Sequence, residues 1–114
     1  MKGTTMAQND FDKARTDEAL ARLKFSAEQI VTLAAMQVLG VRALLAKGQT
    51  PEEIRPGMTG LIASLVAPAG IAEFPVVMFD PGKGVTGYKL RLLSPEKAAQ
   101  SVIDQARDPR ILAS

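Results

Sequence analysis

The chain has 114 residues, 46% of them apolar, and a formal charge of +2. That length suits one domain with its own core, and so small a charge sets up too weak a field to demand an acidic partner. Cysteine and histidine are both absent, which excludes disulfides, thiolate nucleophiles, thiolate zinc sites and any Ser–His or Cys–His pair.

Met1 to Asn9 is polar and turn-rich and reads as a flexible tail, residues 1–9. No apolar stretch follows Lys2, so no leader is expected. Asp10 to Lys24 reads as a helix, or as one that starts at an Asp17 cap, with a thin apolar side, Leu20 and Leu23, and an i,i+4 pair, Glu18 to Arg22.

Phe25 to Gly48 carries the strongest signals. Ser26 and Gln29 are spaced as a capping box, Phe25 and Ile30 as the staple across it, and Gly48 as the left-handed residue that closes the helix. Ile30, Val31, Leu33, Met36, Val38, Leu39, Val41, Leu44 and Leu45 lie on nearly every side between them. A helix apolar all round is expected to be the buried, central one. Gly40 in its middle costs about 1 kcal/mol relative to Ala, which suggests close approach of another backbone or a local bend, two tightly packed helices being the better reading. Gln37 and Arg42 interrupt the run, so no membrane span is expected and a cytoplasmic protein is the default.

Thr50-Pro51-Glu52-Glu53 is a second capping box with proline at the first helical position, and Pro56-Gly57 predicts an early stop. Gly57 to Ala67 is open between a buried strand and a separate short helix, and Thr59 as cap with Pro68 as terminator favours the helix. Glu73 to Asp80 predicts a strand buried on both faces, and Val85 to Leu93 its hairpin partner. Ser94-Pro95 opens a last helix whose Pro95, Ala98, Ala99, Val102, Ile103 and Ala106 form one stripe. Asp108-Pro109 ends it, and residues 109–114 read as a tail around a single domain of residues 10–108.

The fold class expected is α+β, helix-rich with one β-hairpin, in the order α-α-α-α-β-β-α. From Ser26 to Leu93 that order resembles a winged-helix domain, which would make Asp80 to Gly87 the wing and Gly57 to Ala67 the recognition helix. The resemblance lies in element order alone.

Three stretches offer function. Gly82-Lys83-Gly84-Val85-Thr86-Gly87 satisfies G-x-G-x-x-G. A strand follows it where a dinucleotide fold needs a helix, so a turn is the better reading. Lys83, Lys89 and Arg91, with Tyr88 beside them, form a basic strip able to lie along a phosphate backbone. The same residues also describe an edge strand guarded against aggregation. No Lys or Arg lies between Arg55 and Lys83, so the recognition helix lacks the usual phosphate grips. Finally, Met58, Leu61, Ile62, Leu65, Val66 and Ile71 sit in an uncharged stretch that reads as a partner interface. No carboxylate set has ligand or acid–base spacing, so neither a catalytic residue nor a cofactor or metal site is expected. The expectation is a non-enzymatic module that associates with itself as a homodimer or with another protein. The alternative is a DNA-associated regulator that uses the basic hairpin.

Overall fold

The computed structural model describes the backbone of residues 2–113 and the side chains of residues 12–113. Helices α1 (Lys2–Leu23), α2 (Ala27–Ala46) and α3 (Pro51–Val66) precede strands β1 (Phe74–Phe79) and β2 (Tyr88–Leu93), and α4 (Pro95–Arg107) follows. The class is α+β, with four helices and one antiparallel hairpin.

Both predicted capping boxes form. Ser26 Oγ accepts from the Gln29 N–H at 3.1 Å while Gln29 Oε1 takes the Ser26 N–H at 2.9 Å. Thr50 and Glu53 repeat the exchange at 3.2 and 2.8 Å. Gly48 closes α2 at φ +99°, with the Gln49 N–H reaching back to the Leu44 carbonyl.

Three expectations need correction. The early stop at Pro56 does not occur: α3 runs through it, so the two predicted short helices are one and the order is α-α-α-β-β-α. Ile54, Ile62 and Val66 are buried on one side of α3, with Met58 packed between them. That i,i+4 stripe holds both halves against the core, and exposed Pro56 leaves the carbonyl it fails to bond on the solvent side. From Ser26 to Leu93 two helices therefore precede the hairpin, and the winged-helix order needs α1 to complete it. The second correction is at the start, where the helix begins at Lys2 and takes in the stretch read as a tail. No proline interrupts its hydrogen-bond ladder.

The third correction is at the other end, where residues 110–112 are docked. Ile111 is buried and the Arg110 carbonyl accepts the Gly82 N–H at 3.0 Å. The Arg42 guanidinium, from α2, donates to the carbonyls of Ala106, Asp108 and Ile111 at 3.1, 3.1 and 2.9 Å. It gives a cation and three donors to the end of α4 and the residues after it, where carbonyls run out of intrahelical partners. Arg110 hydrogen-bonds the Asp108 carboxylate, which holds that carboxyl below its ordinary pKa. The stabilisation from this pair is therefore present above the unfolded carboxylate pKa and is lost as pH falls through the folded one.

Helix α4 is the hub: α2, α3 and β1 all pack on it. Its buried stripe is the predicted one from Ala98 to Ala106 with Gln105 added, while Pro95 is only half-buried. Residues of β1 alternate in facing, and Val77 and Phe79 turn their backbone groups away from β2, towards the open edge of the hairpin. There the buried Gln105 side chain acts as a missing strand. Its Oε1 accepts the Phe79 N–H at 2.9 Å, and its Nε2 donates to the Val77 carbonyl at 3.0 Å. Pro75 falls on the same outward side, where its absent N–H needs no partner.

Replacing Gln105 by leucine leaves both β1 groups buried and unmet. Each such group costs roughly 1–3 kcal/mol, so urea denaturation of Gln105→Leu is expected to show a loss of about 2–4 kcal/mol. Gln105→Glu keeps the acceptor but sets a carboxylate against the Val77 carbonyl. Burial raises that carboxyl's pKa in the fold, so this variant regains stability relative to the natural chain as pH falls.

Candidate interaction surfaces

The glycine motif is a turn. Gly82 and Gly84 take φ +80° and +61°, and the Lys83 N–H bonds the Asp80 carbonyl at 3.2 Å. Gly87 is crowded instead: a Cβ there would stand 2.6 Å from Lys83 Cδ and 3.0 Å from Lys83 Cβ. Each of these glycines is thus accounted for by backbone geometry or close packing.

The basic strip is divided by the same turn. Lys83 folds across Gly87 with its ammonium 3.8 Å from Asp80. Lys89 and Arg91 stand on β2 with exposed side chains, opposite Met78 and Val76 of β1. Tyr88 alternates to the other face, so it does not lie beside them.

The uncharged stretch is mostly spent on the core. Ile62 and Val66 are buried, and Met58, Leu65 and Ile71 pack against the core from partly buried positions. Leu61 alone of that set is well exposed, at 49%. As a six-residue partner interface the set is therefore corrected: the fold itself covers it, because α3 is one continuous helix turned onto α4.

The apolar surface lies elsewhere, on α2. This helix was expected to be buried all round. In fact only 28% of its most apolar window is buried, and by length and composition alone it would suffice to cross a bilayer. Ile30, Ala34, Gln37, Val38 and Val41 face inwards. Thr32, Met36, Leu39, Gly40 and Ala43 are exposed along the opposite side, Met36 at 64% and Leu39 at 50%. Their spacing of i, i+4, i+7, i+8 and i+11 makes one stripe. Exposed carbon is ordinary when scattered, whereas a contiguous uncharged stripe is a candidate interaction surface. Charge appears only at its ends, Glu28 in the first turn and Lys47 at the C-cap. Gly40 belongs to this stripe, and a Cβ there would meet nothing within 4 Å. The close internal approach expected at Gly40 is absent. Gln37 borders the stripe, buried, with Nε2 lacking a hydrogen-bond partner.

A groove of about 480 Å³ separates the Arg91–Leu93 end of β2 from α4. Its polar side chains are largely engaged within the fold. Asp104 accepts from Gln100 at 2.8 Å, Asp108 is held by Arg110, and Gln105 is bonded to β1. Among the described residues no three His, Cys, Asp or Glu come together to hold a metal ion.

Comparison of the chain with known protein families, with characterised proteins and with solved structures finds no match. The surfaces must therefore be read from their own chemistry.

With no neighbour to strike, Gly40→Ala is expected to stabilise the single chain by about 1 kcal/mol, the helix-propensity difference between the two residues. Urea denaturation at low protein concentration measures it.

Proposed function

We propose that this chain is a non-enzymatic association module whose working unit is a two-fold homodimer built on the outer face of α2. The observation that carries this reading is the self-complementarity of that face. Two α2 helices laid antiparallel, with the two-fold axis between Met36 and Leu39, bring Met36 of each against Leu39 of the other. Thr32 then meets Ala43, Ala35 meets Gly40, and Glu28 meets Lys47. Every contact occurs twice, as an isologous interface requires. A parallel pairing would set Glu28 against Glu28 and Lys47 against Lys47. Antiparallel packing also opposes the helix dipoles favourably.

Gly40 gains a purpose in this arrangement. Thr32, Ala35, Gly40 and Ala43 are small, so the two helices can approach closely at the flanks, while Met36 and Leu39 fill the centre. A mid-helix glycine that the chain's own fold does not need is consistent with a neighbour supplied by a second copy.

Sedimentation equilibrium tests the proposal. The natural chain is expected at the two-chain mass, and Leu39→Glu or Met36→Glu at the one-chain mass with unchanged helical circular dichroism. Glu28→Lys alone should weaken the dimer several-fold, since an exposed ion pair contributes up to about 1 kcal/mol. Adding Lys47→Glu should restore it. A natural chain that stays monomeric at all concentrations overturns the reading.

A further inference from the structure

We infer that the outer edge of β2 is a docking site for an extended, acidic–apolar segment of another protein, which adds to the hairpin as a third strand. This goes beyond the α2 contact and uses the opposite end of the structure's chemistry, backbone rather than side chain.

The hairpin register fixes which groups are free. Val77 and Phe79 turn outwards from β1, so their partners Leu90 and Tyr88, and Leu92 beyond, turn their N–H and C=O groups outwards from β2. The edge of β1 is closed by Gln105, whereas among the described residues β2 has no further strand beside it. An open edge of this kind is the template for strand addition.

There is room for the strand and a wall to hold it. Two hollows of about 220 and 380 Å³ lie between α1 and β2, meeting where Leu90 faces Thr16. Neither is lined by any residue of β1. They lie against β2 rather than β1, and an edge strand bordered by a helix is an arrangement in which extended peptides dock.

Charge selects the occupant. Lys89 and Arg91 project from one face of β2, and among the described residues neither has an ion-pair partner. In an added strand, alternate residues stand beside them at about 5 Å between Cβ atoms, so acidic residues at i and i+2 pair with both. The intervening residues face Tyr88, Leu90 and Leu92, which favours apolar side chains. Among the described charged residues of the α1 wall, Asp17 is paired with Lys13 at 3.0 Å and Arg15 with Glu73 at 2.7 Å. A second copy of this chain is a poor occupant. Antiparallel pairing of β2 with itself about Leu90 would set Lys89 opposite Arg91, two like charges on one face.

The probe is a fluorescein-labelled, end-capped peptide alternating Val and Glu over seven residues, titrated against the full chain by anisotropy. Three controls accompany it: the Val–Lys counterpart, a Val–Glu peptide N-methylated along its pairing edge, and single-stranded and duplex DNA as competitors. The expected result is binding at least tenfold tighter for Val–Glu than for Val–Lys, slowed amide exchange at Leu90 and Leu92, and loss of binding on N-methylation. The double variant Lys89→Glu, Arg91→Glu should reverse the preference and take Val–Lys, which a misfolded hairpin could not do. No binding of Val–Glu, binding that survives N-methylation, or displacement by DNA at equal concentration would each overturn the inference. The last outcome would assign the basic strand to nucleic acid.

Discussion

The joint between Gln105 and the open edge of β1 is the contact on which the rest of the structure depends. A two-stranded hairpin is marginal in water, and β1 is buried on both faces, so its outward backbone groups have no water to turn to. One amide side chain supplies both a donor and an acceptor at the spacing of a strand. It stands on α4, whose remaining buried residues are small or β-branched, so the helix lies close against β1. With α4 fixed there, α2 and α3 have a common surface to pack on, and Arg42 ties the end of α4 back to α2.

This arrangement explains why α2 keeps an uncovered apolar side. Its inner stripe is taken up by the core that α4 organises, and α1 spends its contacts on the hairpin instead. Among the described residues none covers Met36 and Leu39. The same division leaves β2 open: α4 closes the β1 side of the hairpin, while α1 borders the other side without pairing with it. Two surfaces of different chemistry thus follow from one choice of hub.

Local signals were legible where the chemistry is local. Both capping boxes, the left-handed Gly48, the hairpin and the α4 stripe follow from residues a few positions apart, and each is present. What could not be read depends on contacts distant in sequence. Pro56 was given the weight of a stop, yet burial of Ile54 and Ile62 on either side outweighs a lost helix bond. Nothing near Gln105 in the sequence marks its role, because the edge it serves lies 26 residues away. Ile111 and Leu112 were an available clue that the C-terminal residues dock, since apolar residues in a free tail have no reason to be there. For α2, apolar composition does not by itself decide burial. Which side of it stays open is decided by how many neighbours the fold can supply, and the helix alone carries no record of that.

The antiparallel α2 pair is the central claim, and one distance tests it. The chain has no cysteine, so Ala46→Cys carries a single nitroxide at the exposed C-terminal end of α2. With the two-fold axis between Met36 and Leu39, and a rise of 1.5 Å per residue, the two labels should sit about 25–30 Å apart. Dipolar spectroscopy at high protein concentration that returns this distance supports the account. A separation near the roughly 10 Å between parallel packed helices, or no dipolar coupling at all, would contradict it.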